Sequence, residues 1–216
     1  MVAVVTDEAS PIGLRERKKL QTRQALLAAA TSLFEARGYE HVTVAEIADA
    51  ANISVKTFFT YFRSKEDLAF ADDRRLLEQI LESVRSRPEG TSPADAVGAL
   101  LVELLAEGKE GLEGLEGYHR MVDDSLALRS RLLRMWEEYE DELTALLTSE
   151  LGGRRDGAPR ARLAACSLVS MVRSFTTPEV LEMAAARRSP AARRKAVQDW
   201  ATEAAGLVRD GIGTFT

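Results

Sequence analysis

The sequence is poor in the residues that carry most site chemistry. It has one cysteine, Cys166, which excludes a disulfide framework within the chain and any multi-cysteine zinc or iron–sulfur site. Its two histidines, His41 and His119, leave little for metal ligation or general-base catalysis. His119 precedes Asp123 and Asp124 at i, i+4 and i, i+5, which suits part of a metal site, but no third strong ligand stands nearby. No metal and no cofactor are therefore expected. No apolar run approaches the roughly 20 residues needed to cross a bilayer. The opening Met1-Val2-Ala3-Val4-Val5 lacks a charged lead and is too short for a signal-peptide core. These absences point to the cytoplasm, where a lone thiol stays reduced. Basic excess is missing too: the formal net charge is −5, which at first argues against a polyanionic partner.

What is present is an ordinary globular composition. The 216 residues are 45% hydrophobic and 29% charged, enough to bury a core. No stretch alternates cleanly with β-branched enrichment, so the fold class is all-α. Residues 1–13 lack periodicity and read as a mobile leader. Ala25/Leu26, Ala29/Ala30 and Leu33/Phe34 then recur at helical spacing until Gly38 stops them.

The next elements are short. Thr43-Val44-Ala45-Glu46 has the form of a capping box, predicting a helix over 44–51. Asn52-Ile53 reads as a tight turn, because Asn tolerates positive φ. Ser54 caps a second helix that runs to about Phe62. Ser64 caps a third, and its apolar spacing extends to Val84. Two short helices joined by a tight turn and preceded by a longer one form a helix-turn-helix unit. In such a unit the second helix enters the major groove of DNA. Phe58 and Phe62, at i, i+4, are expected inward. The outward set includes Val55, Lys56, Thr57, Phe59, Thr60 and Tyr61. Val55 and the Thr57 methyl suit thymine methyls, and Lys56 suits guanine. Hydroxyls and the N–H groups at the helix start suit phosphate oxygens.

The run from Thr43-Val44-Ala45-Glu46-Ile47-Ala48 through Asn52-Ile53-Ser54-Val55-Lys56-Thr57-Phe58-Phe59-Thr60-Tyr61-Phe62-Arg63-Ser64-Lys65-Glu66-Asp67-Leu68 resembles the TetR family of bacterial transcriptional regulators. The resemblance covers residues 15–68. It implies a three-helix DNA-binding domain over 14–64 and a ligand-binding, dimerising bundle over 65–216. By position it implies DNA contacts at Val44, Ala45, Val55, Lys56, Thr57, Phe59, Tyr61 and Lys65, with Thr43 and Ser54 at the caps. Three positions depart from the family pattern. Asn52 stands for a common Gly, Phe59 for a Tyr that would reach phosphate, and Ala45 offers no long polar chain. Phosphate anchoring would then rest on Tyr61, Thr57 and Lys65. The implied activity is a repressor that leaves a palindromic operator when a small molecule binds, not an enzyme.

The remainder reads as helices. One opens at Pro93 and one spans about 129–151. A polar loop from Gly152 to Pro159 precedes another over 160–177, Pro178 begins a further turn or two, and Pro190 opens the last. Gly108, Gly111, Gly114 and Gly117 mark a flexible connection or a frayed helix. Trp136 and Tyr139 on the long helix are similar to those of actinobacterial members of the kind that includes mycofactocin-system regulators, which implies an acyl-CoA-like effector. Met121, Arg129, Trp136, Tyr139, Met171 and Phe175 are the candidate pocket residues, and all but Arg129 suit a plain core equally well. Arg129 and Arg173 suit either an acidic ligand group or surface pairing. Cys166, among Leu163, Ala164 and Leu168, reads as an inert core thiol. Ala164, Ala165, Ser167 and Ser170, with Ala201, Ala204 and Ala205, suggest a dimer packed through 160–177 and 190–209. A helical enzyme would need a catalytic cluster, and none shows. A DNA-binding dimer without a ligand remains the closer rival.

The charge is unevenly spread. Residues 14–65 hold nine bases and five acids, or +4; residues 1–13 hold −2; the rest is therefore −5 − 4 + 2 = −7. A basic head joins an acidic body. Within the head, Arg15, Arg17, Lys18 and Lys19 suit either a solvated helix start or contacts with phosphate and a minor groove.

Overall fold

The computed structural model describes residues 13–71, 73–107, 117, 120–152 and 155–211, and they contain no strand. They form two compact units, Met1–Ala71 and Asp72–Thr216. His119, the leader at 1–12 and most of the glycine-spaced segment lie outside the described residues.

The first unit begins with α1, Leu14–Arg37. Gly38 ends it at φ 78°, a backbone region that glycine enters without cost. A 3-10 turn, Tyr39–His41, leads to α2, Val44–Ala50, then α3, Val55–Tyr61, then α4, Lys65–Ala69. Helices of seven, seven and five residues are too short to stand alone. Each is capped: Thr43, Ser54 and Ser64 accept from the backbone N–H of Glu46, Thr57 and Asp67 at 3.2, 3.0 and 3.1 Å. All pack on one core of Leu26, Ala30, Val42, Ile47, Ala48, Phe58, Phe62 and Leu68.

The single helix expected from Ser64 to Val84 is broken. After α4 the backbone leaves helical geometry at buried Phe70 (φ −108°, ψ 31°), and α5 starts at Asp73. A continuous helix would offer the carbonyl of Ala71 to the N–H of Arg75. Here Arg23 of α1 donates to that carbonyl at 2.8 Å, while its guanidinium lies 5.5 Å from the centre of the Phe62 ring. Apolar spacing carries no signal of either contact, because both depend on a residue some 40 positions away.

In the second unit α5, Asp73–Arg85, is followed by α6, Pro93–Glu107, and α7, Leu126–Glu150. Then come α8, Gly157–Ser174, α9, Pro178–Ala185, and α10, Pro190–Asp210. α7 begins earlier than expected because buried Ser125 caps it, accepting from Leu128 at 3.3 Å. α8 likewise starts inside the expected loop. α7 packs on α8, and α6 packs on both α5 and α10. The α6–α10 crossing is close: a Cβ on Gly98 would lie 2.7 Å from that of Ala205. Arg87 forks onto Glu150 at 2.8 and 2.7 Å and also donates to the carbonyls of Val84 and Thr91, tying the end of α5 to the end of α7. The small residues expected at a dimer face are largely used here. Ala165, Ala201, Ala204 and Ala205 are buried within the unit. The stripe on α10 thus meets Gly98 of its own chain, which sequence spacing alone does not distinguish from a partner helix.

Candidate nucleic-acid interface

The helix-turn-helix is built as its residues dictate. Asn52 takes φ 54° and is the one non-glycine residue with positive φ among those described. That turn lets Ile53 donate to the carbonyl of Ala48 at 2.9 Å. At the start of α2 the box is reciprocal: the Thr43 N–H donates to Glu46 Oε2 at 2.8 Å, while Glu46 N–H returns to Thr43 Oγ1. Arg37 adds 2.7 Å to Glu46 Oε1 and 2.8 Å to the carbonyl of His41, fastening α1 to α2. The Thr43 backbone bond, then the Arg37 and Thr43 side-chain bonds, pushes the Glu46 pKa down to about 2.

On α3, Phe58 is fully buried and Phe62 nearly so, with ring centres 5.9 Å apart, as the i, i+4 spacing predicts. Lys56 and Thr60 are exposed, Thr57 and Tyr61 half-buried. Val55 is 41% and Phe59 54% exposed. Before α3, Ser54 is exposed; on α2, Ala45 is exposed and Val44 half-buried. The expected reading face therefore exists, but the hydroxyls of Ser54, Thr57 and Thr60 are engaged within the chain. Ser54 Oγ and Thr57 Oγ1 are 2.8 Å apart, and Thr60 Oγ1 donates to the carbonyl of Lys56 at 3.3 Å. Arg15, Arg17, Lys18 and Lys19 line the exposed start of α1.

Lys65, expected to hold phosphate, is turned inward. Its ammonium donates to the carbonyls of Tyr39 and Val42 at 2.9 and 3.0 Å and lies 3.9 Å from the centre of the Tyr39 ring. Tyr39 in turn donates its hydroxyl to Glu66 Oε1 at 2.7 Å. Burial, then the bond and charge of Glu66, pushes the Tyr39 pKa up. For Glu66, burial acts upward, but bonds from Tyr39, its own backbone and Ser64, with the Lys65 charge, bring its pKa below the ordinary value. This bracket locks the 3-10 turn to the N-terminus of α4. No motif in the sequence singles out Tyr39, Glu66 or Arg37 as site residues. The local signal is an aromatic directly after the Gly38 stop; in the fold it packs on Phe34 with ring centres 5.1 Å apart.

In the second unit Trp136, Tyr139, Met171 and Phe175 are buried, Met121 is half-buried and Arg129 is exposed. Trp136 and Tyr139 meet edge to face at 5.4 Å. None of these six lines the open groove of about 340 Å³ formed by Arg85, Arg87, Pro88, Glu89, Gly90, Thr91 and Glu150. Cys166 is half-buried, its thiol 3.4 Å from Glu140 Oε2; burial, then Glu140, pushes its pKa up, which suppresses the reactive thiolate. Asp123, Asp124 and Arg173 are exposed. Among the described residues no three His, Cys, Asp or Glu side chains gather as a metal site, and no helix is long and apolar enough to cross a membrane.

Comparison with known proteins agrees with this geometry. Residues 26–71 match the profile of bacterial regulatory proteins, tetR family. The chain is 32% identical over 203 residues to the HTH-type transcriptional regulator TcmR of Streptomyces glaucescens, covering 87% of this chain and 90% of that one. The fold is like that of Salmonella enterica GusR, at TM-score 0.55 and 19% identity, covering 88% of this chain and 95% of that one. It is also like that of SmeT in a triclosan complex, at TM-score 0.53 and 20% identity, covering 88% and 90%. The curated relatives are transcriptional regulators and not enzymes. The chain belongs to the TetR family of DNA-binding bacterial transcriptional regulators.

Proposed function

We propose that the protein is a ligand-responsive repressor that binds a palindromic operator as a homodimer. The observation that carries this is α3: a seven-residue helix anchored by Phe58 and Phe62 whose outward side chains are left to solvent. So short a helix reads only a few base pairs, so specificity calls for two copies about 34 Å apart on one face of the duplex. Residues 14–64 read the DNA through Val44, Ala45, Val55, Lys56, Thr57, Phe59 and Tyr61, with Thr43 and Ser54 as caps. Lys65 acts there by positioning α4 through its bonds to Tyr39 and Val42. Residues 65–216 supply the dimer and the effector site. The outward edge of α8, where Leu163 and Ser170 are exposed, is the face we assign to the second copy, in place of the α10 stripe that its own chain covers.

The effector is a small molecule, as in the triclosan complex of SmeT, and an acyl-CoA-like compound is our first candidate. Its pocket would involve Met121, Arg129, Trp136, Tyr139, Met171 and Phe175. Binding shifts α5 and, through the joint at Phe70 and Ala71, α4, provided the effector prefers one of two states. A dimeric regulator without a small-molecule ligand is the second reading, favoured by the burial of Trp136, Tyr139, Met171 and Phe175. The test is binding of the full chain to DNA upstream of its own gene, titrated with triclosan and with palmitoyl-CoA. The proposal expects a saturable complex of two chains per site that at least one probe dissolves. A complex indifferent to both favours the second reading, and no complex with any duplex removes both.

A further inference from the structure

We infer that this protein recognises its operator chiefly through the C5 methyl groups of thymine, gripped by an apolar pair on α3, Val55 and Phe59. The inference deepens the reading of α3 as the DNA-reading helix and rests on it. Four large apolar side chains of the first unit are strongly exposed among the described residues: Leu14, Leu20, Val55 and Phe59. Two of the four stand at i, i+4 on one seven-residue helix, so they share a face. Exposure there has a cost that a solvated surface helix avoids by carrying polar residues. The Phe59 ring is also held in place, packed edge-on against Phe58 at 5.3 Å and 83°. It presents an apolar surface to solvent, 54% exposed.

The short hydroxyl side chains of this face are engaged elsewhere. Ser54 Oγ accepts from the Thr57 N–H and pairs with Thr57 Oγ1. Thr60 Oγ1 donates to the carbonyl of Lys56. Ala45 on α2 is exposed and offers only a methyl group. That leaves Lys56, suited to guanine O6 and N7, and the half-buried Tyr61, whose hydroxyl suits a phosphate oxygen and not a base edge. In the major groove thymine alone among the four bases presents a methyl, so an apolar face discriminates thymine by burying that methyl against Val55 and Phe59. The net +4 of residues 14–65 favours approach of this unit to a polyanion without specifying sequence.

The experiment uses the full chain and a duplex it selects from a random-sequence pool. Thymines in each half-site are replaced singly, in symmetrical pairs, by deoxyuracil, which removes the methyl and keeps every hydrogen-bonding group. Each buried methyl is worth roughly four-fold in affinity, so a symmetrical pair should cost roughly sixteen-fold at one or more positions. Val55→Ala and Phe59→Ala change exposed side chains, and circular dichroism checks that both fold. Each should bind the thymine duplex more weakly and lose most of its sensitivity to uracil. Affinity unchanged by uracil at every position, with tight selected binding, overturns the methyl readout and leaves the DNA-reading role of α3 intact. Sensitivity to uracil that both variants retain overturns the assignment to this pair. Failure to enrich any duplex contradicts the reading of α3 on which this rests.

Discussion

Replacing Lys65 by methionine separates two roles that one side chain could play. Methionine keeps most of the apolar stem and removes the ammonium. The structure gives that ammonium two carbonyl acceptors, at 2.9 and 3.0 Å, and the Tyr39 ring at 3.9 Å. A charged hydrogen bond contributes about 1.5–3 kcal/mol and an exposed cation–π contact about 0.5–1 kcal/mol. Lys65 is half-buried, so water replaces part of this, and a loss of about 2 kcal/mol is reasonable for the whole bracket. That is roughly 25-fold in a local opening equilibrium. Hydrogen exchange of the full chain reads it directly. Amides of residues 39–43 and 64–70 should exchange roughly 25-fold faster in Lys65→Met, while α8 is unchanged. DNA affinity should fall with little change in its salt dependence. A phosphate contact behaves in the opposite way: exchange stays as in the parent chain, and the slope of log affinity against log salt falls by about two, one for each copy on the duplex. That pattern would refute the bracket as the main role of Lys65.

Three further outcomes follow from other contacts. Because the Glu46 pKa is depressed to about 2 from an ordinary 4.5, its contribution is complete above about pH 4.5 and is lost as pH falls toward 2. The stability gap between the parent chain and Glu46→Gln should therefore narrow across that window, measured by urea unfolding; a gap independent of pH contradicts the capping-box geometry. Gly98→Ala should destabilise the second unit by about 1–3 kcal/mol through overpacking, offset by up to about 1 kcal/mol of helix propensity. Ala205→Gly should rescue it in thermal melts, and an additive double variant would place the clash elsewhere. Asn52→Ala should cost about 1–2 kcal/mol because its φ is 54°, whereas Asn52→Gly should be near neutral by the same melts.

The head of the molecule was largely legible in sequence because its determinants are local. Thr43 and Glu46 are three residues apart, Ser54 and Thr57 likewise, and Asn52 announces its own backbone conformation. Phe58 and Phe62 declare an inward face by spacing alone. Features that depend on distant partners were not legible. Lys65 looks like a surface base until Tyr39 and Val42 are brought to it across more than twenty residues. The helix expected through Phe70 is periodic throughout, and its break involves Arg23. Ala201, Ala204 and Ala205 form a close-packing stripe in any context, and only the fold shows Gly98 of the same chain against it. The effector candidates were the least legible, because buried Trp136, Tyr139, Met171 and Phe175 satisfy a core and a pocket equally well.

The central claim is that two copies of α3 read one duplex in register. Hydroxyl-radical footprinting of the full chain on its selected duplex tests this most directly. The account predicts two protected half-sites, related by a two-fold axis and centred one helical turn apart, about 34 Å, with loss of both when five base pairs are inserted between them. A single protected stretch, or protection that survives the insertion unchanged, would contradict it.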